Sequence, residues 1–184
     1  MIIGVLGGTF DPPHLGHLGM SMNVLDTGLV DEIWFVPCLK HRFGKAPASF
    51  EHRLAMCRLL VSSEKRIKVS DIESALDRPG YTLDLVRKLM ADHPDDTFRL
   101  IAGQDIYHQK HQWHHYDDIA VLAPPIYVAR VGEPPIPEPT IPAPLDVSSS
   151  DVRDKIATGE SLEGLLSPEV IAYIETHGLY DTKA

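Results

Sequence analysis

The stretch Ile2-Ile3-Gly4-Val5-Leu6-Gly7-Gly8-Thr9-Phe10-Asp11-Pro12-Pro13-His14-Leu15-Gly16-His17 changes rhythm twice, and that change sets the architecture. Ile2 to Leu6 is a short, β-branched apolar run and reads as a buried strand. Gly7 and Gly8 end it, Pro12 and Pro13 stiffen the loop beyond, and a helical rhythm opens near Leu15 and continues through Leu18 to Leu25. A strand that runs straight into a helix through a glycine-rich turn is the first half of a crossover connection between parallel strands.

The same alternation recurs down the chain. Strand-like runs lie at Glu32 to Val36, Arg66 to Val69, Thr97 to Ile101 and Pro125 to Ala129. Helical period occupies Phe50 to Val61 and Thr82 to Met90, the first placing Phe50, Leu54, Cys57 and Val61 on one face. The expected fold is a doubly wound α/β domain spanning residues 1–184, a mostly parallel sheet with helices on both faces. In such sheets ligands gather beyond the carboxyl ends of the strands. The loops of interest are therefore Gly7 to His17, Pro37 to Ser49, Ile72 to Tyr81 and Gly103 to Tyr116.

Glu133 to Pro144 holds six prolines in twelve residues and predicts an extended surface connection, neither helix nor central strand. Beyond it, Ser148-Ser149-Ser150-Asp151 predicts a helix start, with helical pattern through Ile156. A second C-terminal helix opens at Ser167-Pro168-Glu169 and ends at Gly178.

Composition excludes several classes. Of the 184 residues, 43% are hydrophobic and 23% charged, which is ordinary globular usage. The longest apolar runs, such as Ile119 to Ala123, fall far short of the ~20 residues a membrane-spanning helix needs. The start Met1-Ile2-Ile3-Gly4 has no basic lead, so the cytoplasm is the expected compartment. Cys38 and Cys57 lack metal or disulfide spacing and read as reduced thiols. A formal charge of −9 argues against a general nucleic-acid surface but leaves room for a small phosphorylated ligand held by local donors.

The first loop is such a site. Gly7 and Gly8 allow close backbone approach, and a helix N-terminus near Leu15 aims unpaired N–H groups at the same space. His14 and His17, three residues apart at that helix start, can both face one side, with Gly16 leaving room for a phosphate. Neither a GxGxxG fingerprint nor a GxxxxGK[ST] loop is present, which counts against a nicotinamide dehydrogenase and a P-loop ATPase.

The HxGH element after Gly-Gly-Thr-Phe-Asp-Pro resembles the nucleotidylyltransferase superfamily, whose members transfer a nucleoside monophosphate group and release pyrophosphate. Ile101-Ala102-Gly103-Gln104-Asp105, Trp113 eight residues after that aspartate, Gly80-Tyr81-Thr82 and Ser148-Ser149-Ser150-Asp151-Val152-Arg153 are similar to the bacterial nicotinate mononucleotide adenylyltransferases over nearly the full length. That resemblance implies transfer of AMP from ATP to nicotinate mononucleotide, giving deamido-NAD, with Mg2+ carried on the ATP. It implies His14, His17 and Arg153 as the catalytic groups. ATP would be held by these three with Gly7, Gly8, Thr9, Phe10, Gly16, Lys45, Gly103, Asp105, Ser149 and Ser150. The mononucleotide would lie against Thr82, Trp113 and His114, the indole stacking on the pyridine.

The chain also departs from that pattern. Where the family has an Asn- and Pro-rich stretch ending in Pro-Pro-His-Lys, it reads Pro37-Cys38-Leu39-Lys40-His41-Arg42-Phe43-Gly44-Lys45, so any of Lys40, His41, Arg42 and Lys45 could meet phosphate. The family's Arg-Pro-Gly becomes Arg130-Val131-Gly132. His108, His111, His114 and His115 fit no standard zinc spacing and are expected to form a loop. Nicotinamide mononucleotide remains an alternative acceptor. Phosphopantetheine adenylyltransferases share the serine-rich tail but carry Thr where His14 stands. A nucleotide-binding module without chemistry is the remaining alternative, motivated by the altered Lys40 to Lys45 loop.

Overall fold

The computed structural model describes residues 1–39, 48–143 and 145–180. Its described strands are β1 (Ile2–Gly8), β2 (Glu32–Pro37), β3 (Ile67–Val69), β4 (Thr97–Gly103), β5 (Pro125–Val128) and β6 (Thr140–Ile141). The described α-helices are α1 (Leu15–Asp26), α2 (Phe50–Leu60), α3 (Thr82–Asp92), α4 (Gln104–Gln109), α5 (Tyr116–Leu122), α6 (Ser149–Thr158) and α7 (Pro168–His177). The strands form one sheet in the order β3-β2-β1-β4-β5-β6, and every pair is parallel.

Period-two alternation feeds two cores, one on each face. Ile3 and Val5 of β1 join Phe98 and Leu100 of β4 beneath α3 and α5, where Leu85, Val86, Leu89 and Ile119 close the layer. Leu6, Ile33, Phe35 and Ile101 face the other way, against Val24, Met56, Cys57, Leu60, Val152, Val170 and Ile174 from α1, α2, α6 and α7. Because helices cover both faces, the strands read as near-continuous apolar runs.

Local chemistry sets the helix ends. The Ser148 Oγ accepts from Asp151 N while Asp151 Oδ2 accepts from Ser148 N, a reciprocal cap that starts α6. Ser167 caps α7 with Pro168 as its first residue, and Gly178 closes it at φ 57°.

Three sequence expectations need correction. The Gly103 to Tyr116 segment, read as a loop, contains α4 and a 3-10 turn at Lys110–Gln112, and α5 begins at its end. The Ile72 to Tyr81 segment, also read as a loop, begins with a 3-10 turn at Ile72–Ala75, whereas the proline-rich connection is neither helix nor central strand, as expected, and adds only the two-residue edge strand β6. On α2 the expected stripe holds for Leu54, Cys57 and Val61, but Phe50 is only half-buried and Arg53 is buried in its place, 2% exposed.

The order of the strands decides where a ligand goes. Successive crossovers run outward from β1 in one direction and outward from β4 in the other, so the loops leaving these two central neighbours diverge and leave a crevice. Gly7 and Gly8 end β1, and Gly103 ends β4.

Candidate active site

A cavity of about 460 Å³ opens at that crevice. All four loops singled out from the sequence reach it: Gly7, Gly8 and Thr9 from the first, Cys38 from the second, Glu73 and Gly80 from the third, and Asp105 and Trp113 from the fourth.

The first loop folds back on itself to present its two histidines. His14 ends the loop in extended backbone at φ −139°, and α1 begins at the next residue. The His14 backbone N–H donates to His17 Nδ1 over 3.2 Å. An accepting Nδ1 carries no proton, so this bonding pattern assigns the hydrogen of the neutral His17 ring to Nε2. The two imidazoles stack with centroids 3.7 Å apart at 30°, and Phe10 lies 4.8 Å from His17 on its other flank. Burial and the charge of Arg130 push His14 down to about 4, and burial, then His14 and Arg130, push His17 well below the ordinary imidazole range. Both rings are therefore neutral donors near pH 7 before any anion arrives.

Gly16 makes this packing possible. A Cβ there would stand 2.7 Å from Val147 Cγ1 and 2.9 Å from His14 Nδ1, so only glycine lets α1 approach the strand-free segment before α6. Phe10 takes a left-handed backbone at φ 53° and stacks at 5.1 Å on Phe35, anchoring the loop in the core.

Arg53 holds the loop from beneath. Its guanidinium donates to Thr9 O at 2.6 Å, Cys38 O at 2.8 Å and Ala48 O at 3.3 Å, joining the ends of β1 and β2 to the start of α2. Glu73, 4% exposed, works on the neighbouring side: Oε2 accepts from Gly80 N at 2.7 Å and from Leu39 N at 3.4 Å. Burial raises the Glu73 carboxyl, partly offset by those two N–H groups.

Opposite the histidines stands Arg130, the single Lys or Arg among the described lining residues. Its Nη1 lies 3.3 Å from Asp105 Oδ2, and the Asp105 carboxylate folds over Gly103 so closely that a Cβ there would collide with it. The far end of the cavity has a different character. Thr82 opens α3, Trp113 packs partly into the core, and His114 is exposed beside Tyr81 at 5.7 Å.

The expected site residues thus fall into three groups. Gly7, Gly8, Thr9, His14, Gly16, His17, Gly103, Asp105, Thr82, Trp113 and His114 line the cavity. Phe10, Ser149, Ser150 and Arg153 do not line it; they lie under or behind the first loop. Arg153 Nη1 donates to Asp11 O at 2.6 Å and Nη2 to Ser150 Oγ at 3.1 Å, while Ser149 Oγ donates to Pro12 O at 2.9 Å. Lys45, with Lys40, His41 and Arg42, lies outside the described residues. Arg53 and Glu73 are site groups that the sequence does not announce, although Glu73 follows a strand at its carboxyl end. Arg130 is visible in the sequence as the arginine of the altered Arg130-Val131-Gly132 element, but without a role in the site.

A first loop of stacked neutral imidazoles over a helix N-terminus, an arginine across from it, and an aromatic pocket beyond define a nucleotide-handling α/β protein. The chain belongs to the cytidylyltransferase-like family, whose model matches residues 5–155. A relative from Anaeromyxobacter sp. strain K, named "Probable nicotinate-nucleotide adenylyltransferase", is 40% identical over 182 residues, covering 97% of this chain and 96% of the relative. One of the same name from Geobacillus kaustophilus strain HTA426 is 38% identical over 187 residues, covering 98% and 87%. The fold superposes on the nicotinic acid mononucleotide adenylyltransferase of Plasmodium falciparum complexed with NaAD at a TM-score of 0.83, with 22% identity and 97% of each chain covered.

Proposed function

We propose that this chain is a nicotinate-nucleotide adenylyltransferase: it joins the AMP group of ATP to the phosphate of nicotinate mononucleotide, forming deamido-NAD and releasing pyrophosphate. The observation that carries this reading is a single cavity lined by His14, His17 and Arg130, groups suited to an anion, and also by Trp113, suited to an aromatic ring. The near full-length identity with relatives named for that activity supports it.

In the reaction a phosphate oxygen of the mononucleotide attacks the α-phosphorus of ATP in line, and the bond from that phosphorus to the bridging oxygen breaks. No protein nucleophile is required, so positioning and charge stabilisation supply the catalysis. His17 donates its Nε2–H to the phosphate oxygens on which charge grows, and His14 stacks against it to hold that direction. Gly7 and Gly8 admit the triphosphate to the backbone, with open space beside Gly7 where a Cβ would meet nothing within 4 Å. Arg130 faces the same charge across the crevice. Arg153, with Ser149 and Ser150, braces the loop and adds a fixed positive charge behind it.

Mg2+, if carried on the triphosphate, would supply charge neutralisation at the leaving pyrophosphate. Among the described residues no three His, Cys, Asp or Glu side chains gather into a metal site, and Glu73 is committed to two backbone N–H groups. This ion prefers phosphate oxygens and water, and the other carboxylates of the described lining that could meet it are Asp105, beside Arg130, and Asp146.

The deciding experiment is pyrophosphate release from ATP and Mg2+ with a panel of acceptors. Nicotinate mononucleotide is expected to give the highest kcat/KM, above nicotinamide mononucleotide and phosphopantetheine. ATP binding in calorimetry with no pyrophosphate from any acceptor would overturn the reading. No helix is long and apolar enough to cross a membrane among the described residues.

A further inference from the structure

The C-terminal part of the chain holds the first loop at four of the six residues from Asp11 to Gly16. Val147 packs against Gly16, Leu165 O accepts from Leu15 N at 2.8 Å, Ser149 Oγ donates to Pro12 O at 2.9 Å, and Arg153 Nη1 donates to Asp11 O at 2.6 Å. One more contact comes from much further along. Tyr180, beyond the end of α7, donates its hydroxyl to Asp11 Oδ1 at 2.6 Å.

Several features single this contact out. Asp11 is 2% exposed, and in a buried setting a carboxylate without donors is costly. Its Oδ1 takes Tyr180 and Ala48 N at 3.3 Å, while Oδ2 has no partner among the described residues, so Tyr180 is its strongest bond. Tyr180 itself sits in left-handed backbone at φ 69°, a conformation that a bulky L residue adopts only when its surroundings hold it there. Burial and the Asp11 carboxylate push its phenol up, so it stays a donor throughout the working pH range.

Asp11 therefore receives two side chains at once, Tyr180 on its carboxylate and Arg153 on its carbonyl. We propose that Tyr180 is a positioning residue for the ATP end of the site: by holding the Asp11 side chain it fixes the carbonyl on which Arg153 rests, and with it the loop that carries His14 and His17. The effect belongs to ATP and not to the acceptor, because Tyr180 packs against the core on one face of the sheet, whereas Trp113 and the buried residues of α3, the helix that Thr82 opens, belong to the core on the other. This inference rests on the adenylyltransferase reading only for its kinetic readout; its binding readout stands without it.

The test uses the full chain with Tyr180→Phe, which keeps the ring and removes the hydroxyl. By calorimetry with ATP and Mg2+ in the absence of acceptor, Kd for ATP is expected to rise roughly tenfold, the scale of one hydrogen bond to an ionised group. In pyrophosphate release, KM for ATP rises while KM for nicotinate mononucleotide stays within about twofold. Asp11→Asn, which keeps an acceptor oxygen for Tyr180, retains near wild-type affinity, whereas Asp11→Ala reproduces the loss. Unchanged ATP affinity in Tyr180→Phe, or equal rises in both KM values, would sink the proposal. A wild-type protein that binds ATP but releases no pyrophosphate would instead sink the enzymatic reading, leaving the affinity comparison to judge Tyr180.

Discussion

The backbone N–H of His14 points at Nδ1 of His17, and this single bond fixes which nitrogen of the second imidazole is available to a ligand. The ring can then offer a hydrogen from Nε2 without any change of protonation on substrate entry.

His17→Ala removes that donor. The expected loss in kcat is about 10²- to 10³-fold, the usual effect of deleting one preorganised donor to developing charge. Pyrophosphate release at saturating ATP and acceptor measures it, and turnover within twofold of wild type would remove His17 from the mechanism.

Gly16→Ala tests the packing beneath His14. The new methyl would meet Val147 and His14 Nδ1 at 2.7 and 2.9 Å, and the imidazole is the neighbour that sets chemistry. We expect kcat to fall at least roughly tenfold while the stability change stays near 1 kcal/mol, because a valine rotamer can absorb part of the clash. A crystal structure of the variant should show the His14 ring rotated away from His17.

Trp113→Ala addresses the other end of the cavity. If the indole stacks on the pyridine ring, KM for the mononucleotide rises far more than KM for ATP, with ~1–3 kcal/mol lost on the acceptor side. Steady-state kinetics with each substrate varied in turn decides it, and equal increases would take the stacking role away.

Arg53→Met replaces a buried guanidinium and strands three carbonyls, Thr9, Cys38 and Ala48. The expected cost is about 2–4 kcal/mol, lowering the melting temperature by roughly 5–15 °C. Calorimetric melting is the readout. A change of under about 2 °C would mean that the three carbonyls find other donors.

The histidine pair also predicts how stability depends on pH. His14 is held at about 4 against an ordinary value of 6.5, so the folded chain binds its proton less readily than the unfolded chain. That stability is present above 6.5 and is lost as pH falls from there through about 4. Melting curves over this window should show a smaller decline in His14→Gln than in wild type.

Much of the architecture is legible because it rests on local rhythm. Buried parallel strands such as Ile33 to Val36 and amphipathic α3 announce themselves by apolar period, and Ser148 with Asp151 and Ser167 with Pro168 mark helix starts chemically. The helix α4 escapes because six residues of mixed polarity, Gln104–Gln109, carry no period to detect. The first loop and the pair Thr82 and Trp113 stand out through motif resemblance and position after strands. Arg53 and Glu73 do not, because a lone charged residue has no local signature: Arg53 sits on a helix face of apolar neighbours, and its three partners come from three separate segments. Arg130 is visible only as part of an altered motif, and its place in the cavity comes from tertiary packing. Arg153 is visible in its motif, yet its hydrogen bond to Asp11 is a property of tertiary packing across 142 positions in sequence.

Pro139 and Pro142 stand immediately on either side of β6, the last strand on one side of the sheet. Proline offers no N–H, so an extended segment arriving from solvent would find few donors in that stretch and a ladder only two residues long to extend. The rim of the sheet beyond β5 thus offers a second extended chain little free ladder to join, the usual way in which an edge strand is blunted.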